Sequence, residues 1–329
     1  LGAIEVGAIG QGIHQDVYLA AVWLLATEAM AELATARGDE ALAAEARAIG
    51  ATGRRTLNER YWIDTAQHHA FGLLASGAVN DALTVWPATA AAFGLLDAGR
   101  ANRTLAALAG HRMTADWGAR MLAVDHPLYE PLHYNMGAVW PFVTGFVSLG
   151  HYRYGRPWAG FPLVDALKQL TFDFARGRHA ELLSGAFYRP LDTAVPHQFF
   201  ASSMLATPVL RGLVGWEADA PRGRATLAPQ LPPSWDRVAV RGLPVGDSRV
   251  SVSIVQGAAS TIATLSADGA PVDIVFTSQV PAGARDVRTV VSSPPAAPDE
   301  RVATGQPTRG PITGRSSASP GLGLRPGAV

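Results

Sequence analysis

Two successive helical segments constrain the fold of this chain more than any other feature. Between His14 and Ala36 apolar residues recur at intervals of three and four, the period of a helix with one buried stripe. That stripe comprises Tyr18, Ala21, Val22, Leu25, Ala29 and Leu33. Gly38 ends the helix, and Asp39 caps a second one that carries the same spacing up to Leu57. Two long helices joined by a tight turn predict an αα-hairpin.

Helical signals continue along the first two thirds of the chain without strand alternation. Further helices are predicted at 87–96, 100–108, 135–154, 164–175 and 196–213. Pro141 is expected to kink or restart the helix at 135–154. The segment 61–79 is short, mixed and aromatic, which is typical of an irregular or hairpin excursion between helices. The sequence therefore predicts a mainly α domain over residues 1–220.

The pattern changes at Pro221. Apolar and polar residues then alternate in short runs between turn residues, and Val250, Val252 and Ile254 repeat at every second position. This alternation predicts a small antiparallel β domain over 221–290. Residues 291–329 are rich in Pro, Gly and Ser and have no aromatic residue, so a disordered tail is expected there.

Composition and spacing argue against several partners and cofactors. The net charge is zero and the basic residues form no stripe, so nucleic acid is not expected to bind. There is no cysteine, and the adjacent His68 and His69 point in different directions, so no metal site is predicted. The glycines at 7–12 lack the spacing of a nucleotide loop, and no cofactor is predicted. The apolar run 18–25 is shorter than the ~20 residues of a membrane-spanning helix, so no membrane is predicted, and the sequence leaves localisation open.

Glu181 is the leading candidate for chemistry. It is a lone acid in a loop rich in Gly, Pro and aromatic residues between two predicted helices. His179, Tyr188, His197 and Gln198 lie near it in sequence. An acid at helix ends among such groups is placed to meet a polar ligand. The alternative is a solvated loop residue or a partner of a nearby arginine.

A second polar and aromatic cluster precedes the helix at 135–154. It contains Asp116, Trp117, Tyr129, His133, Tyr134 and Trp140. Aromatic faces stack on sugar rings, while carboxylates, amides and imidazoles bind sugar hydroxyls. The set therefore favours a carbohydrate cleft. The alternative is that each ring is a core aromatic residue that joins two helices.

Three segments resemble one family of enzymes. They are DWGARML at 116–122, LYEPLHYNMGAVWPFVTGF at 128–146 and HAELLSGAFYRPLDTAVPHQFFASSML at 179–205. They resemble the C-terminal half of the (α/α)6-barrel glycosidases of the glycogen-debranching amylo-α-1,6-glucosidase type, with glucoamylases as more distant relatives. The resemblance implies a mainly α fold, an (α/α)6 toroid. It also implies inverting hydrolysis of α-glucosidic bonds by a pair of carboxyl groups.

The resemblance also assigns roles to individual residues. Glu181 matches the general base, and Trp117, Tyr134, Trp140 and Gln198 match positions that line the sugar pocket. The neighbouring Asp116 and His133 are expected to contribute to substrate binding. An oligosaccharide or glycoside is thus the expected substrate.

The chain departs from the family at its start. A complete barrel has six helical hairpins, and about seven or eight helices can be counted here, so an N-terminally truncated barrel is expected. The general acid of the family precedes the first helix of this chain, but its Trp-containing motif is absent. Glu5 lies in that loop and is the candidate acid, the alternative being a residue upstream of Leu1.

Two other functions stay open from the sequence. In an inverting glycoside phosphorylase on a related barrel, phosphate replaces water and no general base is needed, so a carboxylate at Glu181 argues against it. A non-catalytic carbohydrate-binding fragment would fit the truncated start.

Overall fold

A computed structural model describes residues 7–173, 176–258, 260–280, 290 and 313–320. The chain divides into two compact units, Leu1–Pro208 and Val209–Val329. Within the described residues, the first unit is mainly helical and the second consists mostly of strands. A helical domain followed by a small β region, as predicted, is therefore confirmed.

The first unit contains seven described α-helices. They are α1 (Val17–Ala36), α2 (Glu40–Arg60), α3 (Pro87–Ala92), α4 (Ala98–Ala109), α5 (Pro141–Arg153), α6 (Pro157–Asp173) and α7 (Phe199–Thr207). Its short strands are β1 (Ile13–Asp16), β2 (Trp62–Ile63), β3 (His68–His69), β4 (Gly72–Leu74), β5 (Val79–Asn80), β6 (Thr114–Ala115) and β7 (Gly118–Ala119). The strand pairs between 62 and 80 confirm the predicted hairpin excursion.

The turn between α1 and α2 forms as predicted. Gly38 adopts a φ of +77°, which an L side chain rarely tolerates. Asp39 then caps α2, because its Oδ1 accepts a hydrogen bond from the Leu42 N–H at 3.0 Å. Asp16 caps α1 in the same way, through the Leu19 N–H at 2.6 Å. The predicted αα-hairpin is confirmed.

The helices pack in two rows. Helices α1, α3, α5 and α7 contact one another in that order, while α2, α4 and α6 pack on α1, α3 and α5 respectively. Gly145 of α5 allows close approach to α7, because a Cβ on it would lie 2.5 Å from the Cβ of Met204. An arc of paired helices is the arrangement from which an (α/α)6 toroid is built. The closed ring itself stays a prediction.

The connections between helices alternate in length. Short turns at 37–39, 93–97 and 154–156 join the first-row helices to their partners. Long connections at 61–86 and 110–140, and a third that includes 176–198, lead from each second-row helix to the next first-row helix. Because antiparallel helices alternate direction, the long connections all lie on one face of the arc. This long-loop face carries both sequence clusters described above.

Several predicted boundaries differ from the structure. Helix α5 begins at Pro141 and not at residue 135, because Pro is suited to a first helical turn and residues 135–140 are extended or in turns. Helix α6 begins at Pro157, earlier than the predicted 164, and contains Pro162. Helix α7 ends at Thr207 and passes into a π-helical turn, Pro208–Leu213.

The buried side of α1 also differs from the predicted stripe. Ala21 is buried as expected, but Val22 is 37% exposed and Leu33 is 63% exposed, whereas Leu24 and Ala31 are buried. Helix α1 is so uniformly apolar that its spacing fits more than one face, and contacts with α2 and α3 decide which one is buried. Among the described residues, α1 has the length and apolar composition of a membrane-spanning helix, a property that core helices share.

His151 gives the helical core a dependence on pH. It is fully buried in α5, neither ring nitrogen has a hydrogen-bond partner among the described residues, and burial, followed by nearby Arg156, lowers its pKa to about 3. Burial likewise lowers the pKa of His69 to about 3, with smaller contributions from Arg100 and His68. Both rings are therefore neutral in the folded protein at pH values where the unfolded chain binds protons.

We expect the free energy of unfolding to fall as the pH is lowered from about 6.5 to about 3, because the unfolded state then binds more protons than the folded state. Each histidine contributes a slope of at most about 1.4 kcal/mol per pH unit in that window. His151→Leu should flatten the slope without lowering stability at pH 7, as measured by urea unfolding at several pH values. An unchanged slope would show that His151 does not titrate in this way. His126→Ala, at a partly exposed position, is the control.

The second unit contains seven described strands. They are β8 (Trp216–Asp219), β9 (Arg224–Leu227), β10 (Arg237–Val245), β11 (Ser248–Gln256), β12 (Thr261–Asp268), β13 (Asp273–Val280) and β14 (Thr313–Pro320). Ala220–Arg222 forms one 3-10 turn, as Gly7–Gly10 does in the first unit. The alternation noted in the sequence falls on β11, where Val250, Val252 and Ile254 are buried.

The prediction of an antiparallel β domain is correct for one sheet and correct only in part for the other, in which β8 and β9 are antiparallel. Strands β10, β11 and β12 form an antiparallel sheet. In the sheet of order β14-β13-β9-β8, however, β13 runs parallel to both β9 and β14. The chain leaves β9, builds the separate antiparallel sheet and returns alongside β9 in the same direction. Strand direction after such a crossover is not encoded in local alternation.

Most of the tail predicted at 291–329 lies outside the described residues. The exception is β14, a strand in a region for which no regular structure was expected. Glu5, the candidate general acid, also lies outside the described residues.

Candidate active site

The long connections meet in a small network of extended backbone. Val139 forms isolated antiparallel bridges with Arg120 and with Leu183. Val139 and Leu183 each donate an N–H to the other's carbonyl oxygen at 2.9 Å. This pairing holds the connection before α7 against the connection before α5. Glu181 lies two residues before Leu183 and is therefore fixed beside the aromatic cluster.

The Glu181 carboxylate is bound by three donors. Its Oε1 accepts hydrogen bonds from the Tyr134 hydroxyl and from the Gln198 Nε2 at 2.9 Å. Its Oε2 accepts one from the Val195 N–H at 3.2 Å. Hydrogen bonds to a carboxylate stabilise its charge and fix its orientation. The structure thus brings together three residues that the sequence analysis had placed in one pocket, Tyr134, Glu181 and Gln198.

The surroundings of Glu181 fit neither alternative, a solvated loop residue or the partner of a nearby arginine. The residue is only 9% exposed, so it is not a solvated loop acid. Nearby Arg189 pairs with Asp192 at 3.1 Å, and the part of the chain that the structure describes contains no ion pair to Glu181. A buried carboxylate held by neutral donors and no cation is uncommon, because burial of an unpaired charge is costly.

Tyr134 belongs to a run of aromatic rings along the first-row helices. Trp140 donates its indole N–H to the Tyr134 carbonyl oxygen at 3.0 Å, and the two rings meet edge to face at 5.1 Å. Trp86 packs on Trp140 at 6.3 Å, and Tyr18 packs on Trp86 at 5.3 Å. These residues lie at or just before the starts of α5, α3 and α1. Trp140 therefore packs directly on Tyr134, and Trp86 and Tyr18 continue the row of rings.

The sequence analysis missed Trp86 and Tyr18. A signal for Trp86 exists, because the dipeptide Trp-Pro occurs twice, at 86–87 and 140–141, and begins a first-row helix each time. Tyr18 carries no comparable signal.

Other predicted pocket residues do not contact Glu181 in the described structure. Trp117 donates its indole N–H to the Ser184 carbonyl oxygen at 2.9 Å and packs on Tyr188 at 6.2 Å. Asp116 is exposed. The His133 Nδ1 accepts a hydrogen bond from the Asn135 N–H at 3.1 Å, so that nitrogen stabilises its own turn. Roles in substrate binding for these residues stay predictions.

Two side chains, Gln198 itself and the residue that follows Tyr134, carry an oxygen without a partner among the described residues. The Gln198 Oε1 and the Asn135 Oδ1 are buried and have no hydrogen-bond partner among the described residues. Buried acceptors are normally satisfied by protein or by ordered water. Each oxygen can therefore receive a hydrogen bond from a water molecule or a ligand hydroxyl.

The other residues of the Glu181 loop have structural or peripheral positions. His179 is buried between α6 and α7, where its Nε2 lies 2.8 Å from the Thr171 hydroxyl, and burial lowers its pKa. Burial raises the pKa of Tyr188, and its hydrogen bond to Asp173 at 2.6 Å adds to this effect. His197 is exposed.

Two glycines permit the close packing of the loops. A Cβ on Gly137 would lie 2.2 Å from the Glu130 carbonyl oxygen. A Cβ on Gly185 would lie 2.1 Å from the Gly137 carbonyl oxygen and 2.6 Å from the Tyr129 hydroxyl. Neither position has room for a side chain, so the geometry around Glu181 depends on both glycines.

Comparison with known proteins gives one family and several structures. Residues 7–188 match the sequence model of the family described as the mannosylglycerate hydrolase MGH1-like glycoside hydrolase domain. No curated protein sequence matches the chain. The matched region includes Tyr134, Trp140 and Glu181 and ends before Gln198.

Among solved structures, a sialidase superposes with a TM-score of 0.64 at 13% identity, over 76% of this chain and 24% of that one. A GH63 mannosylglycerate hydrolase from Thermus thermophilus, in complex with glucose, gives 0.48 at 22% identity, over 58% of this chain and 46% of that one. The complex with Tris and D-glycerate gives 0.47 at 22% identity, with 58% and 44% covered. The chain therefore spans about a quarter of the sialidase and less than half of the hydrolase. At 13% identity the likeness to the sialidase concerns the fold alone.

Proposed function

Because the chain belongs to the family of MGH1-like glycoside hydrolase domains, we propose that it takes part in inverting hydrolysis of a small glycoside with Glu181 as the general base. The family supports the glycosidase that the sequence resemblance implied, but it does not support the debranching type. Stereochemistry, substrate and residue roles are proposals, since the chain covers less than half of the hydrolase with which it was compared.

The observation that carries the proposal is the asymmetric hydrogen bonding of the Glu181 carboxylate. Oε1 receives two donors, which occupy both of its lone pairs. Among the described residues, Oε2 receives one donor, the Val195 N–H, and keeps one lone pair. An inverting glycosidase needs a carboxylate that accepts a proton from water as the water attacks the sugar. Oε2 is the oxygen that can accept this proton.

The side-chain oxygen of Gln198 suits the same step. The attacking water transfers one proton to Oε2, while its other proton stays on the oxygen that becomes the sugar hydroxyl and needs a hydrogen-bond acceptor. The Gln198 amide donates to Glu181 through Nε2, and its Oε1 has no partner in the described part of the chain. We propose that this oxygen accepts a hydrogen bond from the attacking water or from a sugar hydroxyl. Glu181 and Gln198 would then hold the water between them.

The general acid is a separate part of the proposal. It must lie ~6.5–9.5 Å from the base, on the opposite side of the scissile bond. Glu5 remains one candidate, and an acid from a part of the protein outside this sequence is the other. The contacts of Glu181 favour neither.

The sugar is proposed from two different sources. The sequence resemblance favours an α-glucoside, whereas the family is described by the hydrolysis of mannosylglycerate. Mannosylglycerate, its glucosyl counterpart and maltose therefore form the first substrate panel. Proton NMR of the first-formed anomer should show inversion. Retention would contradict the mechanism, formation of a sugar phosphate in phosphate buffer would indicate a phosphorylase, and binding without turnover would indicate a binding fragment.

Tyr134→Phe tests the support of the base. The variant keeps the ring against Trp140 but removes the hydroxyl donor to Glu181. A hydrogen bond to a charged group contributes about 1.5–3 kcal/mol, so we expect kcat to fall roughly 10- to 100-fold with a smaller change in KM. Tyr129→Phe is the control, because that hydroxyl does not contact Glu181. An equal loss in both variants would argue for a general disturbance of the loop.

A further inference from the structure

A second polar cavity lies on the long-loop face, away from Glu181. It has a volume of about 340 Å³ and lies between the connections that precede α3 and α5. Its polar wall consists of His68, Asp81, Arg112, Asp125 and His126. This volume is within the range of pockets that bind small molecules. None of these residues belongs to the proposed active site.

The distance from Glu181 follows from the paired backbone between the two sites. The cavity lies between the segments of Thr84 and Leu122, which bridge to each other. Further bridges from Arg120 to Val139 and from Val139 to Leu183 lead to the Glu181 side, so two to three strand spacings separate the sites. Neighbouring strands lie about 5 Å apart, which places the cavity roughly 10–15 Å away. One sugar ring cannot occupy both sites.

His68 presents an acceptor to the cavity. It is only 6% exposed, and its Nδ1 lies 3.0 Å from the His69 carbonyl oxygen. A carbonyl oxygen can only accept, so Nδ1 carries the proton and Nε2 has the free lone pair. Within the described residues Nε2 has no hydrogen-bond partner. Burial also lowers the pKa of His68, which keeps the ring neutral.

His126 has the opposite tautomer when neutral. Its Nδ1 accepts a hydrogen bond from the Leu128 N–H at 3.1 Å, so Nε2 carries the proton and is a donor. Arg112 is paired with Asp125 at 2.8 Å, which balances the charge of both. Asp81 adds carboxylate oxygens as acceptors. The wall therefore contains both donors and acceptors, with most of its charge compensated.

From this wall we propose that the cavity is a second carbohydrate-binding site, which takes a neutral, hydroxyl-rich sugar residue. A hydroxyl both donates and accepts, as required between the acceptor of His68 and the donor of His126. An anion would be repelled by Asp81, the acid of the wall whose charge is not balanced by Arg112. For a cation, no group of three or more metal-binding side chains is found in the described part of the chain. The proposal does not require Glu181 to be catalytic.

The test uses mannose and maltotriose as probes and the full chain labelled with ¹⁵N at histidine. We expect saturable shifts of the His68 and His126 ring nitrogens with at least one of the two sugars. His126→Ala should weaken this binding at least tenfold, and so should Asp81→Ala at an exposed position. His111→Ala, which changes an exposed histidine of the same connection, should leave it unchanged.

Two further variants separate this site from the active site. His68→Gln identifies which ring-nitrogen signals belong to the buried His68. If this variant fails to fold, His126→Ala and Asp81→Ala still test whether the sugar binds in the cavity. Glu181→Gln should leave the histidine shifts intact. The proposal is overturned if neither sugar shifts the two rings, if inorganic phosphate shifts them while the sugars do not, or if Glu181→Gln abolishes the response. If the unmodified chain hydrolysed no sugar of the panel but still showed the histidine shifts, the proposed function would fail while this second site would stand.

Discussion

We expect the Glu181→Gln variant to lose at least 10²- to 10⁴-fold in kcat while KM changes little. An amide keeps the shape of the side chain but cannot take the proton from water, and one positioned proton-transfer group typically contributes that factor. Tyr134 can redirect its hydroxyl to the amide oxygen, so the loop should keep its structure. Initial rates with the best substrate of the panel, together with sugar binding by calorimetry, would measure both quantities.

The matched control is Glu130→Gln. Glu130 is an exposed carboxylate in the adjacent loop, and its Oε1 lies 3.3 Å from the Leu132 N–H. It should retain near wild-type kcat. If Glu181→Gln also retained near wild-type kcat, the general-base assignment would be wrong and the carboxylate would be a structural residue of the loop.

Gly185→Ala should combine a loss of activity with a loss of stability. The added methyl carbon would lie 2.1 Å from the Gly137 carbonyl oxygen, closer than any ordinary contact, so the two loops must move apart. Overpacking of this kind costs about 1–3 kcal/mol. The displaced loop also carries Glu181, and a shift of about 1 Å in a catalytic group can reduce the rate about 100-fold.

Gly99→Ala is the matched control for this substitution. A Cβ on Gly99 meets no atom within 4 Å, and the residue lies in α4, where alanine is favoured over glycine by up to about 1 kcal/mol. Thermal unfolding and kcat/KM would be measured for both variants. If Gly185→Ala behaved like Gly99→Ala, the loops would be more compliant than their spacing indicates.

Local signals in the sequence were sufficient to predict most helices of the first unit. Gly38 and Asp39 fixed a turn because a left-handed residue and a cap act within four residues. Pro141 was recognised as a disturbance, but whether it kinked or restarted a helix depended on the pairing of Val139 with two distant segments. The direction of β13 relative to β9 depended on a crossover of the same nonlocal kind.

The surroundings of Glu181 were predictable only in part. The family resemblance predicted Tyr134 and Gln198 as pocket residues. No sequence signal indicated the Val195 N–H donor or the Asn135 Oδ1, which has no hydrogen-bond partner among the described residues. Residue types do not show which backbone N–H groups point at a side chain. An oxygen without a partner can be recognised only when its surroundings in the folded chain are known. The aromatic residues behind Tyr134 had a partial signal in the repeated Trp-Pro dipeptide.

The alternation of short and long connections has a consequence for the order of folding. A helical pair such as α1 and α2 is joined by a three-residue turn, so its contacts close with little loss of chain entropy. The contact between Tyr134 and Glu181 spans 47 residues and must wait until α5 and α6 have packed. Rates of closure fall as contacting residues become more distant in sequence. We therefore expect the helical pairs to gain protection from hydrogen exchange early in refolding and the Val139–Leu183 amides to gain it last.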